Sequence, residues 1–162
     1  MLGEQFWQFS LHSRIQYGYL MRLPASTNFL GVVSAQIMMK NISDFLLNNR
    51  ISQGSETYII DNSGNVIAYP AGTNIYANSQ DSISLKKISS IEDSPASVAH
   101  ILRGENGQKE FEFKYPKNNQ LYLAAYKQFP SSFGRPWEVL TVAPINDFLT
   151  EFVLEKNIVA LC

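Results

Sequence analysis

The chain has almost no cysteine: among 162 residues the only one is Cys162, the last. A single thiol can neither close an intramolecular disulfide nor build a cysteine-based metal site, and it does not fix the compartment. Histidine is nearly as scarce. His12 and His100 lie far apart and outside any spaced ligand motif such as H-E-x-x-H, which argues against zinc. Excess charge of one sign is missing too, since 13 Lys and Arg face 14 Asp and Glu for a net charge of -1. The scattered basic residues form no stripe that would attract nucleic acid, so that class of partner is set aside. No G-x-S-x-G elbow, phosphate-binding loop, dinucleotide glycine pattern or His-Asp or Cys-His arrangement occurs. No catalytic residue and no cofactor are therefore nominated, and the expectation is a protein that is not an enzyme.

Long hydrophobic runs are also wanting. Residues 158–162 are apolar, but a bilayer span needs about twenty such residues. The run reads as the opening of a spanning helix whose remainder lies outside this sequence. At the other end, residues 1–11 mix Glu4, Gln5 and Gln8 with apolar residues and carry no basic leader, so no signal peptide is read there. The expectation is a chain cut at both ends.

What is present is a globular composition, 45% hydrophobic and 17% charged, with length for one domain or for a small domain plus part of a neighbour. Two β-rich runs, IQYGYLMRL (residues 15–23) and FLGVVSAQI (residues 29–37), flank a Pro24-containing break and predict a hairpin. Met38, Ile42, Phe45 and Leu46 then follow helical steps, which predicts a helix over about residues 41–50, with Asn41 as its N-cap and Asp44 as a reciprocal partner. TYII, the turn DNSGN and VIAY predict a second hairpin. Residues 71–90 show no sustained period and read as an irregular excursion with at most one helical turn. Within residues 91–102, Ile91, Val98, Ile101 and Leu102 suit a helix limited by Pro95 and ended by Gly104.

Phe111, Phe113 and Tyr115 alternate with Glu110, Glu112 and Lys114, the clearest strand pattern in the chain. LYLAAYKQF and WEVLTVA predict two more strands. Ile145, Phe148, Leu149, Phe152 and Val153 then fall on one helical face. The resulting class is α+β: a five-stranded antiparallel sheet with flanking helices, placed on one side of it. Residues 61–65 carry oxygen-bearing side chains at alternate positions, as a calcium loop does. Val66 and Gly72 stand where such a loop needs glycine and glutamate, so the segment reads as a plain turn.

The run LGVVSAQIMMKNISDFL (residues 30–46), followed by TYIIDNSGNVIAYP (residues 57–70), resembles the middle of a double-Cache sensor domain of bacterial transmembrane receptors. LYLAAYKQFPSSFGRPWEVLTVAPINDFL resembles that family's closing strands and its descending P-x-x-x-F helix. The resemblance covers residue 15 to the C-terminus and rests on the order and spacing of the pieces. It implies a PAS-like sheet, with residues 1–40 as the remnant of a membrane-distal module, 41–144 as the membrane-proximal module and 145–162 as a helix leading toward the membrane. It further implies an extracellular or periplasmic location, a membrane-anchored homodimeric parent receptor, and a cytoplasmic cyclase, kinase, diguanylate cyclase or chemotaxis output. One departure concerns Gln36. Amino-acid-binding members have an aspartate there, and a neutral amide cannot supply its charge-assisted contact to an ammonium group.

Tyr58, Tyr69, His100, Tyr122, Tyr126 and Trp137 are candidates to line a small-molecule pocket, ordinary half-buried packing being the alternative. Arg22, at the end of a predicted strand, could pair with a ligand carboxylate or simply be a solvated edge charge. The functional expectation is a small-molecule sensor that transmits through its C-terminal helix. The alternatives are a non-binding transmission module and a truncated gene remnant.

Overall fold

A computed structural model describes the backbone of residues 3–10, 14–22, 29–70, 76–79, 82–106 and 109–149, and the side chains of residues 38–70, 85–103 and 109–149. The chain opens with three antiparallel strands, β1 (Gly3–Ser10), β2 (Arg14–Arg22) and β3 (Phe29–Met38), in the order β1-β2-β3. The expected β2–β3 hairpin is present, running from Arg14↔Met38 to Arg22↔Phe29. Strand β1 was not expected, because the adjacent Phe6 and Trp7 spoil any two-residue alternation. It is defined by pairing with β2 from Gly3↔Met21 to Ser10↔Arg14.

Helix α1 (Met39–Asn48) follows β3 without a loop. Asn41 therefore lies inside the helix and does not cap it. The capping position falls to Met38, an extended residue that makes no side-chain cap, and Asp44 pairs with Lys40 one turn back. The helix ends where Asn49 donates its backbone N–H to the Phe45 carbonyl at 3.1 Å.

The second sheet contains β4 (Glu56–Ile60), β5 (Val66–Ala68), β8 (Glu110–Lys114), β9 (Leu121–Gln128) and β10 (Glu138–Pro144). Its order is β5-β4-β10-β9-β8 with every pair antiparallel, the PAS-like sheet expected. Between β5 and β8 come β6 (Tyr76–Ser79), β7 (Ser82–Leu85), a 3₁₀ turn (Ile88–Ser90) and helix α2 (Pro95–Asn106). The β6–β7 hairpin corrects the reading of residues 71–90 as irregular: YANS and SISL are short and polar, so only their mutual pairing reveals them. Gly104 lies within α2 and does not end it. A glycine inside a helix costs about 1 kcal/mol relative to alanine, which the surrounding turn tolerates.

Side chains of the second sheet separate by strand alternation into two cores. On one face Tyr58, Ile60, Tyr122, Ala124, Tyr126, Leu140 and Val142 pack with Phe113, Tyr115 and with Ala96 and Ala99 of α2. On the other, Ile59, Ile67, Ala68 and Trp137 pack with Met39, Ile42 and Leu46 of α1. The helices therefore flank both faces, not one. α1 buries its apolar stripe against the face that α2 leaves open. A bulge supports this division: Ile59 pairs with Ala68 and Ile60 with Val66, so Ile67 is the extra residue and joins Ala68 on the α1 side.

The turn after β4 explains residues 61–65. Asp61 Oδ1 accepts the N–H groups of Ser63 at 2.8 Å and Asn65 at 2.9 Å, while Oδ2 accepts from Asn65 Nδ2 at 2.9 Å. Its oxygens serve the turn. After β10, residues 145–149 are helical (α3); the expected continuation through Phe152 and Val153 and the apolar run at residues 158–162 lie outside the described residues. Among the described residues no helix is long and apolar enough to cross a membrane.

Candidate functional site

A cleft of about 580 Å³ opens where β4 and β5 meet the segment leading into α2, lined by Glu56, Tyr69, Lys86, Ser90, Ile91, Glu92, Asp93 and Ser94. Strand alternation sets its floor, because Glu56, Tyr58 and Ile60 share one face of β4. Ser94 precedes Pro95, the first residue of α2, and caps the helix: its hydroxyl accepts the Ala96 N–H at 3.1 Å. The same hydroxyl donates to Glu56 Oε2 at 3.0 Å, and the Tyr58 hydroxyl donates to that oxygen at 2.9 Å. Tyr58 and Ser94 oxygens are themselves 2.9 Å apart. Three groups from β4 and the α2 cap thus lock together around one carboxylate oxygen.

Burial, reinforced by the Glu56 charge, pushes the Tyr58 phenol far above the ordinary tyrosine range, so it remains a donor. Tyr69 stands over it, with ring centroids 4.7 Å apart and planes tilted by 40°. The Tyr69 N–H donates to Ser43 Oγ at 3.3 Å, which ties the cleft wall to α1. Asp93, at the rim, is paired with Lys117.

A second polar cluster lies further along α2. Arg103 pairs with Glu138, and its guanidinium carbon sits 3.9 Å from the Tyr126 ring centroid. Burial raises the Tyr126 phenol, an effect that Arg103 opposes, and Tyr126 stacks on Phe111 at 6.4 Å. His100 is half-buried beside this pair. Desolvation lowers its pKa, and Glu138 opposes the shift. Its Nδ1 is buried without a hydrogen-bond partner among the described residues.

The candidate residues fall into separate places. Tyr58 and Tyr69 meet at the cleft. Tyr122 is in the core behind it, against Phe113 and Tyr115 at 5.8 Å and 5.7 Å, and Tyr126 and His100 belong to the second cluster. Trp137 is on the opposite face of the sheet, T-shaped against Phe129 at 6.2 Å, and does not share a pocket with the tyrosines. The side chains of Arg22 and Gln36 lie outside the described ones. Sequence reasoning missed Glu56, Lys86 and Ser94. Glu56 shares the two-residue period of Tyr58 and Ile60, and Ser94 before Pro95 is a helix-start signal, so both left a trace in the sequence. Lys86 left none.

The Cache domain model dCache_1 matches residues 3–152. Among solved structures, the fold resembles the extracellular domain of mmHK1S-Z2, a protein assigned to the histidine kinases. The TM-score is 0.55 at 14% identity, over 91% of this chain and 52% of that one. It also resembles the ligand-binding domain of the Pseudomonas fluorescens chemoreceptor CtaA in complex with L-isoleucine, with a TM-score of 0.53 at 10% identity over 91% and 53% of the two chains. At these identities the likeness is one of fold, and the chain spans about half the length of the structures it matches. No curated protein matches it in sequence.

Proposed function

The chain belongs to the Cache-domain family, and on that premise we propose that it is the extracytoplasmic sensor module of a transmembrane signalling receptor, holding a small molecule in the Glu56–Tyr69 cleft. The observation that carries this reading is the cleft itself: its volume suits a small organic ligand, and an aromatic wall lies beside a carboxylate fixed by two buried hydroxyls. In this reading residues 1–40 close a membrane-distal module, 41–144 form the membrane-proximal module, and 145–162 descend toward the membrane. The parent receptor is a membrane-anchored homodimer, and this part of it signals without catalysing.

A route from cleft to exit helix supports the transmission step. Gly54 donates its N–H to Asp147 Oδ2 at 2.7 Å, two residues before Glu56 and in the first turn of α3. A Cβ at Gly54 would lie 2.8 Å from Pro144 Cγ, so the loop and the start of α3 are in tight contact. Displacement of Glu56 by a ligand would pull on this junction. A non-binding transmission module is the second reading, favoured by the burial of Tyr122 and Tyr126 in core packing.

A thermal-shift screen against organic acids, amino acids, amines, purines and sugars tests the proposal. A ligand of the folded state at a hundred times its Kd stabilises by about 2.7 kcal/mol, so one class is expected to raise Tm with concentration, and Tyr69→Ala to abolish the rise. A stable fold with no shift from any class would leave the transmission reading.

A further inference from the structure

We infer that the outer edge of β8 pairs with β8 of a second copy of this chain, joining the two PAS-like sheets edge to edge across a two-fold axis. The inference stands apart from the cleft, since it needs no ligand. β8 closes one side of the second sheet and, among the described strands, has β9 as its neighbour. Its ladder fixes which backbone groups stay free. Tyr126 donates its N–H to the Lys109 carbonyl at 2.7 Å, and Tyr115 donates to the Gln120 carbonyl at 2.9 Å. Both bonds continue the register that sets Phe111 opposite Ala124 and Phe113 opposite Tyr122, so the odd-numbered residues of β8 bond inward. The N–H and C=O groups of Glu110, Glu112 and Lys114 therefore face away from β9.

Such an edge is a template for another strand, and charges on it usually oppose pairing. On β8 they select a partner instead. Glu110, Glu112 and Lys114 are exposed on one face, while Phe111, Phe113 and Tyr115 turn toward the α2-side core. Pairing across a two-fold axis normal to the sheet is antiparallel and joins outward-bonding residues to each other. Setting Glu110 opposite Glu112, or Lys114 opposite itself, brings like charges face to face. Setting Glu112 opposite itself gains Glu110–Lys114 pairs but puts like charges on the axis. The remaining register sets Glu112 of each copy opposite Lys114 of the other, with no like pair. In it Phe113 meets Phe113, and Glu110 meets Pro116, whose missing N–H ends the ladder. Leu123 and Leu121, opposite Glu112 and Lys114 on β9, are 38% and 45% exposed, so each ion pair would be flanked by apolar surface for the Lys114 stem.

The test is sedimentation equilibrium on the full chain, with reductant present so that Cys162 cannot link copies. A concentration-dependent dimer is expected. Glu112→Lys and Lys114→Glu each turn both cross-strand pairs into like-charge pairs, and each is expected to weaken the dimer about tenfold to a hundredfold. The double variant E112K/K114E exchanges the charges of each pair and is expected to restore it, and the two single variants mixed together are expected to form a heterodimer. Glu112→Pro removes an N–H that β9 does not use, so it is expected to abolish the dimer while circular dichroism shows the fold kept. A double variant that stays monomeric while its wild-type parent dimerises would overturn the register. A dimer that E112K, K114E and E112P all leave unchanged would overturn the interface. A wild-type chain that remains monomeric up to about 1 mM would overturn the inference outright, while the thermal-shift screen still decides the sensor reading.

Discussion

Tyr58 is the residue through which the cleft and the core are coupled, since its ring is in the core and its hydroxyl holds Glu56. Tyr58→Phe removes a hydrogen bond to a charged acceptor and is expected to cost about 1.5–3 kcal/mol in a urea titration. The same substitution has a pH signature. An unfolded tyrosine ionises near pH 10, whereas folded Tyr58 stays protonated well above it. Its contribution is complete below about pH 10 and is lost as pH rises further, so the wild-type chain loses stability on the alkaline side and the phenylalanine variant loses less. Part of the slope remains, because burial also raises Tyr126. His100 acts on the acid side. Its folded pKa lies below the ordinary value near 6.5, so stability is full above that pH and falls as pH drops toward the folded value. His100→Gln is expected to flatten that slope, read from urea midpoints between about pH 7.5 and 5. Tyr58 and Tyr69 were legible in the sequence as aromatic residues on strands. Their partner Glu56 left only the two-residue period it shares with Tyr58 and Ile60, and that trace was masked because Glu56 also ends the polar stretch ISQGSE and looks like loop.

The first turn of α2 shows how an element boundary becomes part of a site. Ser94 caps the helix and donates to Glu56, so Ser94→Ala is expected to cost about 0.5–2 kcal/mol from the lost cap and to loosen the carboxylate as well. Trp137 is the control on the other face. Trp137→Ala should cost about 3–5 kcal/mol by emptying the α1-side core, yet leave ligand affinity unchanged in the molecules that remain folded. Elements with strong apolar periodicity, such as α1 and β8, were legible from the sequence to within a few residues. The β6–β7 hairpin was not, since YANS and SISL bury no apolar stripe and owe their conformation to each other. The cap of α1 was misread for a related reason: β3 runs straight into the helix, and no loop residue is left to cap it.

At the scale of the whole molecule, the succession of helices and strands from residue 39 onward was legible apart from the β6–β7 hairpin, and so was the PAS-like sheet. The side on which each helix packs was not, because apolar spacing marks a buried face without naming the face that buries it. The bulge at Ile67 and the pairing of β10 between β4 and β9 decide that question through contacts distant in sequence. Those contacts also separate the tyrosine cleft from Trp137 and bring the loop before β4 to Asp147. The claim that the cleft is where this module receives its signal is tested most directly by ¹H–¹⁵N NMR, titrating the labelled chain with the compound that gives the largest thermal shift. Perturbations are expected at Glu56, Tyr69, Lys86 and residues 90–94, extending to Gly54 and Asp147, with Trp137 and Phe133 unmoved. Perturbations confined to the Trp137 face, with the cleft residues unchanged, would contradict it.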